Sequence, residues 1–261
     1  VENNWTSLPS RPSPTLSDKR PFPIGWSLLA LVGLALVYVV PPNAYAIWYI
    51  LAHHIVVDPK HPERALPADA QLIAQIIDYL PIAVYLLAVL PPLARNSLAS
   101  LGFRLPTVRQ VAIALAGAVA MYVATVATQA VVQSFVHAEA TEAAIALLNE
   151  LNSNVEKGVF IVVAVLLAPM IEELTFRIFL FNALERFVPA GGAIAISGIL
   201  FGLVHSASLS QILTVALPLA AAGIVLGTIY ARTRNYWACV VTHATFNATS
   251  VIALVVFHVK G

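Results

Sequence analysis

The sequence predicts an all-α protein, a polytopic transmembrane helix bundle of about seven spans, eight at most. Composition is the first observation behind this. Hydrophobic residues make up 59% of the 261 positions and charged residues only 10%, with mean hydropathy +0.84. Soluble domains carry roughly 25% charged residues, so the natural solvent for this chain is a bilayer. Run length is the second. A helix crossing the hydrocarbon core needs about 20 mostly apolar residues, and stretches of that kind recur along the chain.

Taken in order, residues 1–23 are polar, rich in Pro and Ser, and carry Arg11, Lys19 and Arg20. They read as a flexible, solvent-exposed tail. The first residue is Val, so upstream residues can be missing. The run 24–40 precedes Ala44-Tyr45-Ala46, which has the small-x-small form of a cleavage site. The run is longer than a signal core and further spans follow, so a retained first helix is expected. Residues 41–52, after Pro41-Pro42, either extend that span or lie along the interface, where Tyr45, Trp48 and Tyr49 would be at home. Further spans are expected at 70–90, 109–133, 158–184, 190–207, 211–232 and 234–257. Between the third and fourth, 142–152 mixes Glu142 and Glu150 with Ala, Ile and Leu, which suggests a short amphipathic interfacial helix. Residues 24–157 form the N-terminal helices with their connections, and 158–257 a core of four spans. No internal repeat is visible.

With the N-terminus cytoplasmic, the cytoplasmic segments hold Arg11, Lys19, Arg20, Arg95, Arg104, Arg109, Arg186, Arg232 and Arg234. The opposite side holds Lys60, Arg64, Lys157 and Lys260. That bias supports the orientation, and a bacterial inner membrane is the expected location. Net charge is only +1 and no basic run forms a phosphate footprint, so nucleic acid is not an expected partner. Cys239 lies in an apolar run and reads as a small buried hydrophobe.

Against this background, ionisable residues inside spans stand out. Each costs at least about 2.5–3.5 kcal/mol at the helix centre, and a functional site is the default reading. Segment 158–184 carries Glu172, Glu173 and Arg177 just after Pro169. Glu173 and Arg177 are four apart and share a face. Glu172 is turned by about 100°. One arginine neutralises one carboxylate, so Glu173 with Arg177 is expected to be a fixed ion pair and Glu172 a working group. Pro169 is expected to bend the helix and free a carbonyl. His205 closes segment 190–207, while His243 and Asn247 share a face of segment 234–257. His243 and Asn247 can both donate hydrogen bonds to a developing oxyanion. At 1.5 Å per residue, Glu172, His205, His243 and Asn247 lie about 18, 22, 14 and 20 Å from the ends taken as cytoplasmic, in one layer. The pairs Gly198/Gly202 and Gly223/Gly227 allow close helix packing. Ser206 and Ser208 form no convincing Ser-His-acid set.

The EExxxR at 172–177, FxxxH at 201–205 and HxxxN at 243–247 resemble the CAAX-protease and bacteriocin-processing (abortive-infection, CPBP) family, which includes type II CAAX prenyl endopeptidases. The stretch from Gly223 through Trp237 and the segment Ser97–Arg104 are also similar to it. The resemblance covers about 158–250, more loosely 95–157, and nothing in 1–90. It implies an all-helical intramembrane endopeptidase with its catalytic core at 158–257. Glu172 would be the general base, His205 would hold the water, His243 and Asn247 would form the oxyanion hole, and Glu173 and Arg177 would support the site. The substrate would be a membrane-embedded or lipidated peptide. Members are often labelled metalloproteases, and zinc held by Glu172, His205 and His243 is the alternative to a metal-free step. No HExxH is present, and no cofactor is required on the preferred reading. Two other functions stand against the protease: a non-catalytic immunity or scaffold subunit of a membrane-protein complex, and a transporter. The lack of inverted repeats argues against a transporter.

Overall fold

The computed structural model describes residues 24–58, 65–94, 98–136, 143–206 and 211–257. The segment 1–23, Glu142, Ser208 and the cations Arg11, Lys19, Arg20, Lys60, Arg64, Arg95 and Lys260 lie outside them. The described residues form eight helices and no strand. We number them α1 (Ile24–Ala52), α2 (Ala68–Leu93), α3 (Val108–Phe135), α4 (Ala143–Glu150), α5 (Asn154–Leu184), α6 (Ala190–Val204), α7 (Ile212–Thr233) and α8 (Tyr236–Phe257). Six are long and apolar enough to cross a membrane, and α6 is a shorter apolar helix. The protein is a multi-pass membrane protein, in agreement with the expected bundle of about seven spans.

Helix α1 settles the choice left open at Pro41-Pro42. It runs straight through both prolines for 29 residues, about 43 Å at 1.5 Å per residue. That exceeds the ~30 Å hydrocarbon core, and its last turns carry Tyr45, Trp48 and Tyr49, residues suited to the headgroup level. Its outer face is exposed along the helix, with Trp26, Leu29, Val32 and Leu36 open, as lipid contact requires. Its inner face meets α2, where the Tyr85 hydroxyl donates to the Ala30 carbonyl at 2.8 Å. Helix α4 is the short helix expected between the third and fourth spans. Leu147 and Leu148 on it, with Leu151 just beyond, pack against Leu72 of α2 and Phe160 of α5. Its apolar face is thus covered by protein.

The centre of the bundle is α5 and α7. About half of the apolar window of each is buried (50% and 56%), against 17% for α1. Helix α6 lies against α7 because two glycines meet. A Cβ on Gly223 would stand 2.8 Å from the Gly198 carbonyl oxygen, and one on Gly202 would collide with the Ala216 carbonyl. Gly202→Val is therefore expected to overpack this crossing and destabilise by about 1–3 kcal/mol. Thermal unfolding in detergent would show a lower midpoint; an unchanged midpoint would mean the helices do not touch here.

One end of the bundle is tied by short connections. Gly102, with φ of +97°, lets the chain turn beneath the α7–α8 junction, where its carbonyl accepts from the Tyr236 N–H at 3.1 Å. Asn235 donates to the Arg104 carbonyl at 3.0 Å, and Arg234 pairs with Glu185 through Nη1 to Oε2 at 2.8 Å. Asn182 donates to the Ile178 carbonyl and the Tyr230 hydroxyl, both at 2.8 Å. Three connections, at 98–104, 182–189 and 234–235, thus share one end and carry Arg104, Arg186 and Arg234 together.

Candidate active site

Helix α5 is not regular where the motif lies. Two π-helical stretches, Val163–Leu167 and Leu174–Phe181, flank the turn Ala168–Glu173. The first has a local cause. At the wider π spacing the Ala168 N–H reaches back five residues to Val163. The next donor in that register would be Pro169, which has no N–H to give the Ala164 carbonyl. Asn247 of α8 supplies it, with Nδ2 at 2.8 Å from the Ala164 oxygen. The carbonyl that Pro169 was expected to free is therefore identified, and so is one of the bonds Asn247 makes. Its amide nitrogen carries a second hydrogen, and the residue still lines the central cavity.

Glu173 and Arg177 form the expected pair, at 3.1 Å with neither side chain exposed. Arg177 also donates to the Gly223 carbonyl at 3.0 Å and lies 4.9 Å over the ring of Phe201. Glu173 Oε1 lies 2.9 Å from His243 Nδ1. Glu172 projects elsewhere, as the 100° rotation required. Its Oε2 faces two imidazoles, His205 Nε2 and His243 Nε2, each 3.8 Å away. Helices α5, α6 and α8 thus deliver the three groups to one point. Glu172 is 13% exposed and His205 21%, so both are reachable while the Glu173–Arg177 pair behind them is sealed.

The hydrogen-bond partners fix the ring tautomers. His205 Nδ1 lies 2.6 Å from the Phe201 carbonyl. A carbonyl only accepts, so Nδ1 carries hydrogen, and in the neutral ring Nε2 offers a lone pair. His243 Nδ1 likewise faces the Glu173 carboxylate and gives it a hydrogen. Its Nε2 then accepts in the neutral ring and donates only when the ring is protonated. A hydrogen bond donated from His243 Nε2 therefore calls for the protonated ring, which lies between the Glu172 and Glu173 carboxylates.

Sequence reasoning missed three contributors. Tyr79 of α2 donates to Glu172 Oε1 at 2.8 Å, from a region with no motif. The Phe201 ring packs against Arg177 and both imidazoles, with ring centroids 4.7 Å from His205 and 5.6 Å from His243. Its place in FxxxH was the available signal. Gly223, noted for helix packing, also supplies the carbonyl for Arg177. The site opens into a cavity of about 300 Å³, with apolar walls from Met121, Phe160, Leu219, Phe246 and Leu254.

The zinc alternative rests on Glu172, His205 and His243. Their donor atoms stand 3.8 Å apart from carboxylate to each imidazole, wider than the ~3.3 Å edge of a tetrahedron with bonds near 2.0–2.1 Å. Among the described residues no group of three or more His, Cys, Asp or Glu is arranged to hold a metal ion.

Residues 154–249 match the family described as Rce1-like, type II CAAX prenyl endopeptidase. The match spans α5 to most of α8, which includes every motif residue above, and bears out the family resemblance read from those motifs. No curated protein and no solved structure matches the chain.

Proposed function

We propose that this chain is an intramembrane endopeptidase that hydrolyses a peptide bond of a membrane-associated or lipidated substrate with water activated by Glu172. One observation carries the reading: two imidazole Nε2 atoms from separate helices converge on a single oxygen of Glu172 at the end of an apolar cavity. The Rce1-like match over these helices supports a protease of the CAAX type.

The chemistry follows from the partners. Tyr79 holds Oε1 of Glu172, which leaves Oε2 as the base. A water between Oε2 and His205 Nε2 directs a hydrogen to each. As its oxygen attacks the substrate carbonyl carbon, its proton passes to Glu172. The carbonyl oxygen takes up negative charge and accepts from His243 Nε2–H of the imidazolium and from the second hydrogen of Asn247. Glu172 then returns the proton to the leaving nitrogen as the C–N bond breaks. Glu173 and Arg177 touch no reacting atom; they hold His243 in place. No step in this sequence is routed through a metal. In a bacterial inner membrane the N-terminus would face the cytoplasm, because among the described residues the end carrying Arg104, Arg186 and Arg234 is the more basic one.

The test compares membrane peptides from cells carrying wild type, Glu172→Ala or His205→Ala. Peptides released by wild type should be lost in both variants. A peptidome unchanged by both substitutions would overturn the protease reading and favour the immunity or scaffold role. Metal content decides the metal-free step: turnover should survive chelation without stoichiometric zinc, and a strict need for bound zinc would overturn it.

A further inference from the structure

The cavity that receives the catalytic residues is also lined by a side chain with one polar atom that no described residue satisfies. Most of its polar side chains are already engaged. The Thr125 hydroxyl donates to the Met121 carbonyl at 2.8 Å and Ser250 to the Phe246 carbonyl at 3.1 Å. Tyr79 donates to Glu172, and Asn247 to the Ala164 carbonyl. Gln75 differs. It lines the cavity, and its Oε1 is buried with no hydrogen-bond partner among the described residues. Asp78 also has an unpartnered buried oxygen, but it does not line the cavity. Leaving a buried acceptor without a donor is unfavourable, so one in a binding cavity asks for a ligand hydrogen.

Gln75 and Tyr79 are four apart on α2 and share a face. Gln75 therefore lies about 6 Å along the helix axis from the residue that holds the base. An extended peptide advances about 3.3 Å per residue, so 6 Å is about two residues from the scissile bond. The donor such a substrate presents at regular intervals is its main-chain N–H, whatever its side chains.

We propose that Gln75 is a substrate-binding residue that accepts a main-chain N–H of an extended peptide about two residues from the bond cleaved, so that α2, outside the family-matched segment, helps to bind the substrate. This rests on the endopeptidase reading. It also explains how an apolar cavity can fix the register of an apolar peptide: one oriented hydrogen bond in a dry site discriminates where dispersion contacts do not.

The test uses protein in lipid nanodiscs and a pool of N-acetylated apolar nonapeptide amides, each also made with single N-methyl groups that remove one N–H. For a peptide that wild type hydrolyses, Gln75→Met should raise KM about tenfold and leave kcat within threefold. N-methylation at one position should cost wild type a similar factor and cost the Gln75→Met protein nothing further. Binding to the Glu172→Gln protein, with and without Gln75→Met, should show the same pattern in Kd. Hydrolysis with Gln75→Met indifferent, or N-methyl effects equal in both proteins at every position, overturns the role of Gln75 and leaves the peptidase intact. Failure of every peptide to bind or be cleaved overturns both.

Discussion

Glu172→Gln should abolish hydrolysis while leaving the bundle folded. Glutamine keeps the size of the side chain and an oxygen that still accepts from the Tyr79 hydroxyl, bonded at 2.8 Å to Glu172, so packing changes little. It removes the carboxylate that faces both imidazoles, and Glu173 cannot replace it because it is committed to Arg177 and His243. General-base catalysis contributes about 10²–10⁴-fold, and Glu172 also delivers the proton to the leaving nitrogen, so kcat should fall by about 10³–10⁴ with KM little changed. His205→Ala should cost less, about 10²-fold, because it removes an acceptor for the water and not the base. The measurement is steady-state hydrolysis by purified protein, with thermal unfolding alongside. A Glu172→Gln protein that keeps kcat within tenfold of wild type would sink Glu172 as the base, and an imidazole would have to take its place.

The charged part of this site was legible because charge in a span is conspicuous. Glu172, Glu173, Arg177, His205 and His243 are written against long apolar runs, and the i, i+4 spacing of Glu173 and Arg177 gave their pairing directly. What stayed hidden was ordinary residues whose importance depends on packing. A tyrosine and a glutamine in α2 carry no periodic signal. That Tyr79 meets Glu172 follows from how α2 crosses α5, 93 residues on. Asn247 shows a partial reading. The sequence placed it beside His243, and Pro169 announced a freed carbonyl, but only the π-helical register of α5 joins the two. What covers α4 was hidden for a related reason: an amphipathic face is the same in sequence whether lipid or Leu72 and Phe160 cover it. The continuation of α1 through Pro41-Pro42 reflects the same tertiary override, with neighbouring groups tolerating what propensity alone disfavours.

Arg177→Ala should be the most damaging substitution to folding. Arg177 is fully buried, and it holds Glu173 at 3.1 Å and the Gly223 carbonyl at 3.0 Å. Its removal takes the guanidinium from the Glu173 carboxylate, also 0% exposed, and leaves it facing His243 in a buried interior. Breaking a buried pair by deleting one partner costs about 3–5 kcal/mol, a large share of the stability of a typical domain. Glu173→Gln strands the guanidinium in the same way and also releases His243, whose Nδ1 it holds at 2.9 Å. Both single variants should show low folded yield in membranes and a depressed Tm in detergent. The decisive comparison is the double variant Glu173→Leu with Arg177→Met. Glu173 Oε2 and Arg177 Nε already lack partners among the described residues, so the pair is not a saturated network, and apolar replacements of similar volume should recover most of the lost stability. Activity should not return with it, because His243 would no longer be held against Glu173 with its Nε2 toward Glu172. Stability lost equally in the double and single variants would mean that the pair stabilises the bundle outright. Activity regained in the double variant would remove Glu173 as the brace of His243.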